Sequence, residues 1–397
     1  MKTKVSVWFY DNFLTFSVLL SLYITFAFIT AVQSYSLGPK IYPSGKEYTN
    51  YNNFEIFSNA PEHLLKGENL YTSYPDEYWD LYKYSPTFAF LFAPLSVLPA
   101  LFGLIIWNLL NALVLFFAIR NLPAPVEKRK LMLLLSIVIE LITSLQNQQS
   151  NGLMAGLMIG AFVMMERKKI FLAAAFLALS VYIKLFGIAG FALFLFYDDR
   201  WKAALYSVFW MAVLFVLPLP VTGFHGLIWQ YGNWWDMLAA DRSASLGFSV
   251  MGWLSTWFGI NIDKNIVLLA GAILFFVPFL RFRHWKNRDY RILMLALTLI
   301  WVVIFNHKAE SPTFIIAMAG AAIWYFNSER STVNTVLFIL AIIFTSLAPT
   351  EIFPREIRVS VFEPYVVKVA PIILIWVKAF ADSFRINSAY IPQNQEL

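Results

Sequence analysis

The sequence contains no cysteine, and only 14% of its 397 residues are charged. The lack of cysteine excludes disulfide bonds, thiolate metal ligands and cysteine nucleophiles. A soluble domain usually carries charge on about a quarter of its residues. Here 59% of the residues are hydrophobic, and apolar runs recur along nearly the whole chain. We therefore predict an all-α, polytopic membrane protein.

Two motifs of nucleotide-dependent enzymes are also missing, a Gly-rich phosphate loop and an Asp-x-Asp pair. The loop would cradle nucleotide phosphates, and the acidic pair would bind a metal ion through its carboxylates. The net charge of +6 is ordinary for a membrane protein whose cytoplasmic loops collect Lys and Arg, so it does not indicate nucleic acid binding. We expect neither a metal nor another cofactor.

The apolar runs and the basic loops between them predict how the chain lies in the membrane. The first run, Phe13–Gln33, is about 20 residues long and lacks a clear cleavage site, so we interpret it as a retained helix. Lys2 and Lys4 precede it, and most of the 30 Lys and Arg residues fall in alternate loops, which the positive-inside rule assigns to the cytoplasm. We predict about twelve transmembrane helices, with both termini in the cytoplasm and the protein in a bacterial inner membrane.

The predicted layout is one domain over the whole chain. It has two outer loops, residues 35–85 and 222–262, and a cytoplasmic tail, residues 382–397. In the first outer loop, Asn53–Leu65 mixes apolar and polar residues in a way that is typical of a helix lying in the membrane interface. Gly67 is the predicted end of that helix.

Prolines and glycines predict how the next helices end and pack. Pro94 and Pro99 should break the apolar stretch that begins at Pro86, so a short piece precedes a full helix over Ala100–Ile119. The next predicted span is Leu131–Leu145. Further on, glycines recur at every fourth position, which lets two helix backbones approach closely; they are Gly152, Gly156 and Gly160.

Polar residues gather near the predicted outer end of the Leu131–Leu145 span. Gln149 and Asn151 belong to a turn, residues 146–151, that consists of amides and hydroxyls. Such groups need hydrogen-bond partners or water at membrane depth. We interpret them as a hydroxyl-rich pocket for a sugar, and hydrogen bonding between helices is the alternative. Four residues before and within the turn share one helix face by their spacing: Glu140, Thr143, Ser144 and Asn147.

A second group of ionisable residues lies in Asn306–Pro312, between two apolar runs. It contains His307, Lys308 and Glu310. Ionisable side chains at a membrane boundary are costly unless they pair or function. We predict a functional site here, and a hydrated turn with a Lys308–Glu310 ion pair is the alternative.

Three further cations are candidates for binding a phosphate. Lys184 lies between two apolar stretches, and Arg355 and Arg358 lie in the last outer loop. Both Lys and Arg recognise phosphate, and Arg does so with two parallel hydrogen bonds. Lys184 could equally anchor the chain at the interface, and the two arginines could belong to a surface charge network. These alternatives stay open.

Several short motifs follow one another in a characteristic order and spacing. They are Gly67-Glu68-Asn69-Leu70-Tyr71, Tyr84-Ser85-Pro86-Thr87, Pro94, Pro99, Trp107, Gln149-Ser150-Asn151, Lys184 after a helix, and Ser311-Pro312 near His307. Over most of residues 10–380, this pattern resembles the polyprenyl-phosphate-sugar-dependent membrane glycosyltransferases of family 87, formerly the unknown-function domain family 2029.

The resemblance implies a GT-C fold in which an outer loop with interface helices follows the first transmembrane helix. It also implies catalysis at the outer face of the membrane. The implied reaction is an inverting transfer of a hexose, typically of the mannose type, from a polyprenyl-phosphate donor to a hydroxyl of a glycan or glycolipid.

The family's acidic base, usually Asp, precedes a hydrophobic pattern that here reads Asn53-Phe54-Glu55-Ile56-Phe57. Asn53 occupies the Asp position, and an amide does not accept a proton at working pH. We therefore predict Glu55 as the substitute base, with Asp76, Glu77 and Asp80 as further candidates. In a helix, Glu55 points nearly opposite to residue 53, so the two positions are not equivalent.

The predicted catalytic residues are Glu55 as the base, with His307 and Lys184 stabilising the departing phosphate. Two rival functions stay open. One is a transporter or flippase for a lipid-linked or small polar substrate, and the other is a catalytically silent protein that binds lipid-linked glycans. The residues expected to bind substrate or phosphate are Lys308, Glu310, Gln149, Asn151, Glu140, Asn147, Arg355, Arg358 and Asn53.

Overall fold

A computed structural model describes residues 15–42, 45–240 and 246–386 of the protein. The described chain is almost entirely helical, which confirms the predicted all-α class. Its one hairpin pairs β1 (Lys40–Ile41) with β2 (Glu47–Tyr48) in antiparallel register, Lys40 opposite Tyr48. Lys2, Lys4 and the end of the predicted tail lie outside the described residues.

The described residues form two compact units. The first unit is drawn from Met1–Pro123, Val138–Phe191 and Trp201–Ala244. The second is drawn from Ala124–Ile137, Ala192–Arg200 and Ser245–Leu397. The prediction of a single domain remains a prediction.

The first unit begins with α1 (Phe16–Ser36), whose first turn is capped because the Thr15 hydroxyl accepts a hydrogen bond from the Val18 N–H. The hairpin follows, and then α2 (Asn52–Lys66) ends where Gly67 adopts a left-handed conformation at φ 69°. Only glycine adopts such a conformation without cost. Both the helix and its end at Gly67 are thus confirmed.

The predicted break after the first outer loop is also present. Helix α3 (Pro86–Ser96) is short, and the Ser85 hydroxyl caps it by accepting a hydrogen bond from the Phe88 N–H. Helix α4 (Ala100–Arg120) then starts directly after Pro99. The remaining helices of the first unit are α6 (Val138–Gln146), α7 (Asn151–Glu166), α8 (Ile170–Ile183), α9 (Arg200–Val216) and α10 (Leu219–Ala240).

The glycine stripe of α7 allows close packing, as predicted. A Cβ atom on Gly156 would lie 2.7 Å from the Leu115 N atom and 2.8 Å from the Val114 C atom, both in the backbone of α4. At Gly160, the nearest atoms belong to the Phe176 ring of α8, at 3.2 Å. The glycines therefore bring the α7 backbone directly against α4 and leave room for an aromatic ring on α8.

The second unit contains α5 (Glu127–Ser136) and the helices that follow residue 246. The predicted span Leu131–Leu145 is wrong as one helix, because α5 ends at Ser136 and α6 starts at Val138. The Ser136 hydroxyl donates a hydrogen bond to the Leu133 carbonyl, a local bond that competes with helix continuation. The later helices are α11 (Val250–Phe258), α12 (Lys264–Phe276), α13 (Arg288–Ile304), α14 (Phe314–Asn327), α15 (Thr332–Leu340), α16 (Arg355–Ile357) and α17 (Ala370–Arg385).

By length and composition, two described helices could each cross a membrane, α1 and α4. The number rises to four if two bent pairs each count as one span, α9 with α10 at 98° and residues 355–362 with 367–385 at 78°. The other apolar helices are shorter, including α3, α7 and α8. The protein is therefore a membrane protein, whereas the bundle of about twelve spans remains a prediction.

Candidate functional site

Lys184 is held in a fixed position at the end of α8. Its backbone is extended, and its N–H still donates to the Ser180 carbonyl at 2.8 Å. Its Nζ donates hydrogen bonds to Asn151 Oδ1 at 2.8 Å and to Gln149 Oε1 at 3.2 Å. These two bonds orient the ammonium group between the two amide side chains.

The turn that carries Gln149 and Asn151 is well anchored. Gln148 adopts a left-handed conformation at φ 48°, and the Gln149 N–H donates to the Ser144 carbonyl at 3.1 Å. The Trp107 indole N–H donates to the Gln148 carbonyl at 2.8 Å. The turn is thus fixed to α4, and Asn151 starts α7 with its side chain fully buried.

Aromatic rings lie beside the ammonium group. The Lys184 Nζ is 5.8 Å from the centre of the Tyr84 ring and 5.9 Å from the centre of the Phe186 ring. A ring face attracts a cation, and this attraction grows where water is scarce. The Tyr84 ring also packs edge-to-face on Phe57 of α2, at 4.9 Å between centroids.

Several polar atoms of the turn are buried without a hydrogen-bond partner among the residues that the structure describes. They are Ser144 Oγ, Ser150 Oγ and Asn151 Nδ2. Buried polar atoms are rarely left unsatisfied. Asn151 Nδ2 belongs to the side chain whose Oδ1 accepts from Lys184, so at least one of these atoms lies at the Lys184 site.

Helix α2 is tied to the same turn. Asn53 Nδ2 donates to the Asn147 carbonyl at 2.9 Å. Asn53, at the position where the resemblance places an acidic base, thus acts as a hydrogen-bond donor. The bond brings the start of α2 to the turn that holds Lys184.

Glu55 faces a different group, as the helical spacing predicts. Its carboxylate accepts a hydrogen bond from the Thr49 hydroxyl at 2.8 Å, and its side chain is partly buried. Burial raises the pKa of Glu55, and the hydrogen bond from Thr49 lowers it in part. A carboxylate with a raised pKa is a stronger base, so Glu55 has the chemistry required to accept a proton.

The other candidate acids are each paired with a basic side chain. Asp76 lies 2.7 Å from the Lys46 Nζ, and that hydrogen bond lowers the pKa of Asp76. Asp80 pairs with Lys83 at 2.7 Å. The remaining candidate, Glu77, contacts the His63 ring nitrogen at 2.9 Å. These pairings favour Glu55 over the alternatives.

Glu140 lies in the first turn of α6 and is fully buried. Two hydrogen-bonded groups meet at residues 146–151. Lys184 bonds to Gln149 and Asn151, and Asn53 bonds to Asn147. Glu55 lies on the same helix as Asn53. Among the residues that the structure describes, no group of three or more His, Asp or Glu could hold a metal ion. That no metal is needed stays a prediction.

The second unit holds the predicted His307 turn between α13 and α14. Asn306 Oδ1 accepts from the Lys308 N–H at 3.0 Å, and the Phe248 N–H donates to the Ala309 carbonyl at 2.9 Å. Burial, and then the positive charge of Lys264, lower the pKa of His307. The imidazole is therefore neutral at pH 7 and would donate one hydrogen bond rather than supply a full charge. Glu310 is exposed at the start of the next turn.

The sequence reasoning missed Lys368, which lies in the second unit near this turn. Its side chain is 3% exposed, and its Nζ donates to Ser311 Oγ at 3.0 Å. The Nζ also lies 5.1 Å from the centre of the Phe314 ring. The only sequence signal was a single lysine near the start of the last apolar run.

The two predicted arginines are placed differently. Arg355 is exposed in α16. Arg358 is partly buried, and its guanidinium donates to the Pro349 carbonyl at 3.3 Å. The Arg358 bond fixes the backbone of the loop that precedes α16.

Residues 82–350 match the sequence model of glycosyltransferase family 87. The matched range includes Gln149, Asn151, Lys184 and the His307 turn, whereas Glu55 precedes it. No curated protein matches the chain.

Proposed function

Since the chain belongs to glycosyltransferase family 87, we propose that this membrane glycosyltransferase uses a polyprenyl-phosphate donor. It transfers a hexose of the mannose type to a hydroxyl of a glycan or glycolipid, with inversion. The reaction takes place at the outer face of the bacterial inner membrane, in a GT-C bundle of about twelve helices.

In the proposed reaction, the acceptor hydroxyl oxygen attacks C1 of the donor sugar. The bond between C1 and the phosphate oxygen breaks as the new glycosidic bond forms. The hydroxyl proton passes to the Glu55 carboxylate, and the electron pair of the broken bond leaves with the polyprenyl phosphate. Lys184 stabilises the negative charge that develops on that phosphate.

The observation that carries this proposal is the Lys184 network. The hydrogen bonds to Gln149 and Asn151 hold the Lys184 ammonium group in a fixed orientation, which suits a group that stabilises a developing negative charge. The buried hydroxyl and amide atoms of Ser144, Ser150 and Asn151 supply partners for sugar hydroxyls.

The assignment of the base is supported by the Asn53 bond. Because Asn53 donates to the Asn147 carbonyl, the helix that carries Glu55 starts at the turn that also contains Gln149 and Asn151, the partners of Lys184. Burial raises the pKa of Glu55, which makes its carboxylate a stronger base. The roles predicted for His307, Lys308, Glu310, Arg355 and Arg358 are separate proposals and are tested one variant at a time.

The experiment compares two lysines at the two ends of α8. The purified full-length protein in nanodiscs is incubated with radiolabelled polyprenyl-phosphate mannose and a mixture of mannose, glucose and galactose oligosaccharides as acceptors, and the release of polyprenyl phosphate is measured. Lys184→Ala should lower kcat about 100-fold to 1,000-fold, the usual effect of removing one transition-state donor. Lys169→Ala, an exposed lysine just before α8, should leave kcat unchanged.

Unchanged turnover in the Lys184 variant would remove Lys184 from the mechanism. If the wild-type protein, with these acceptors present, released no polyprenyl phosphate from mannose, glucose or galactose donors, the proposed donor class would be wrong. Inversion is checked by the anomeric configuration of the product in an NMR spectrum.

A further inference from the structure

Five aromatic side chains form two ring clusters at the start of α2, the helix that carries Glu55. This aromatic patch consists of Tyr35, Tyr42, Tyr48, Tyr51 and Trp79. The Tyr42 ring lies 5.4 Å from Tyr48 and 5.7 Å from Trp79, between centroids. On the other side, Tyr35 stacks on Tyr51 at 5.8 Å with an angle of 20° between the rings.

The backbone beneath the patch is tied down by hydrogen bonds to side chains. The Trp79 N–H donates to Asn52 Oδ1 at 2.7 Å, and Asn52 Nδ2 donates back to the Trp79 carbonyl at 2.9 Å. The Tyr48 hydroxyl donates to the Pro75 carbonyl at 2.7 Å. Rigid rings of this kind lose little conformational freedom on binding, so a ligand would meet a preformed surface.

The patch is accessible, and Glu55 lies one helical turn after Tyr51, whose carbonyl accepts the Glu55 N–H at 3.2 Å. Tyr35 is 46% exposed, and Tyr42, Tyr51 and Trp79 are partly exposed. Burial raises the pKa of Tyr42 and of Tyr51, and the negative charge of Glu55 raises both further. The Glu55 charge is therefore felt on both sides of the patch, and both phenols remain protonated hydrogen-bonding groups.

These features match the chemistry of a carbohydrate. A sugar ring has an apolar face of C–H groups, which aromatic rings cover well, and an edge of hydroxyls, which need hydrogen-bond partners. The patch offers rings for the face, and it offers the Thr49 hydroxyl, two phenols and a carboxylate for the edge. Tyr and Trp at a headgroup belt would also be amphipathic, but such a belt gives no reason for a partly buried carboxylate among the rings.

We propose that the aromatic patch is the acceptor subsite, which binds the terminal sugars of a carbohydrate acceptor and directs one hydroxyl towards Glu55. The proposal rests on the proposed function, because it uses Glu55 as the base. It adds to that function the side chains that would hold the terminal sugars of the acceptor.

A binding experiment tests the subsite without the donor. The full-length protein in nanodiscs is titrated with mannotetraose, maltotetraose and a β-galactotetraose, and binding is followed by saturation-transfer NMR. We expect at least one of the three to bind. Tyr42→Leu and Trp79→Leu should each raise the Kd of that glycan about fivefold to tenfold, the loss of affinity expected for one aromatic stacking contact. Tyr42→Phe keeps the ring and should restore most of the affinity.

The matched control is Trp201→Leu, because Trp201 is 80% exposed and lies on α9, outside the patch. Its Kd should equal that of the wild type. The inference is overturned if none of the three glycans binds, or if the patch variants bind as well as the control. Where transfer is measurable, the patch variants should raise KM for the acceptor and leave KM for the donor unchanged. Loss of donor turnover with intact glycan binding would refute the proposed function alone.

Discussion

The substitution Asn151→Asp tests whether Lys184 acts through its positive charge, because it leaves the ammonium group in place and adds a negative charge beside it. Asn151 Oδ1 accepts from the Lys184 Nζ at 2.8 Å. An aspartate oxygen can keep that hydrogen bond, and it lies at the start of α7, where a negative charge favours a helix. The substitution also removes the buried Nδ2, which has no partner in the described part of the chain. Folding should therefore be unaffected or improved.

The effect on catalysis follows from simple electrostatics. A phosphate about 4 Å from the ammonium gains roughly 4 kcal/mol at an effective dielectric constant of about 20. A carboxylate on the far side of the ammonium, about 6 Å from the phosphate, repels it by roughly 3 kcal/mol under the same conditions. A loss of about 3 kcal/mol in the transition state lowers kcat about 100-fold. The Asn151→Asp variant should thus have a low kcat and a thermal midpoint of unfolding no lower than that of the wild type.

The assay measures kcat for release of polyprenyl phosphate, together with the thermal midpoint of unfolding in the same nanodiscs. Gln146→Glu is the matched control, because it adds a negative charge to an exposed position of the same turn, where the Gln146 amide bonds to Gln33 of α1. The control should keep most of the wild-type kcat. Wild-type turnover in Asn151→Asp would refute the view that the charge of Lys184 stabilises the departing phosphate. A large fall in the thermal midpoint would instead show that the turn does not accept the carboxylate.

Three further substitutions address the base and the packing. Burial raises the pKa of Glu55 and the Thr49 hydrogen bond lowers it, so Thr49→Val should move the acid limb of the pH profile of kcat/KM to higher pH. An acid limb that does not move would exclude Glu55 as the base. Glu55→Gln should abolish turnover. Asn53→Asp replaces the donor to a backbone carbonyl with an acceptor, so kcat should fall, and a rise would place the base at residue 53. Gly156→Ala should destabilise the protein by about 1–3 kcal/mol in reversible unfolding, because its Cβ would meet the α4 backbone. Gly160→Ala meets only a ring that can shift and should cost clearly less, and equal losses would contradict close packing at Gly156.

Local sequence signals predicted the local structure of the chain well. Gly67 ends α2, and Pro99 precedes α4. Each depends on a backbone preference that a single residue imposes. The break at Ile137 was missed because Ser136 and its neighbours read as a continuous apolar run, and the hydrogen bond that turns Ser136 back on Leu133 leaves no pattern in the sequence.

The contacts of the candidate site were harder to predict, because they join distant parts of the chain. The sequence singled out Lys184 and the 146–151 turn separately, yet the bond between Lys184 and Asn151 spans 33 positions. The Lys368–Ser311 bond spans 57 positions and was not foreseen. A side chain's own residue type restricts which partner it needs, whereas the tertiary fold decides which partner it finds.

The paired hydrogen bonds between Asn52 and Trp79 make a closed ring of the chain between them. Insertions or substitutions within this closed loop, at Gly67 or in the segment after it, leave the distance between Asn52 and Trp79 unchanged. Adding residues to a closed loop costs only a little entropy. The segment between Asn52 and Trp79 can therefore vary in length and sequence to suit a new glycan while the start of α2, which carries Glu55, stays in place.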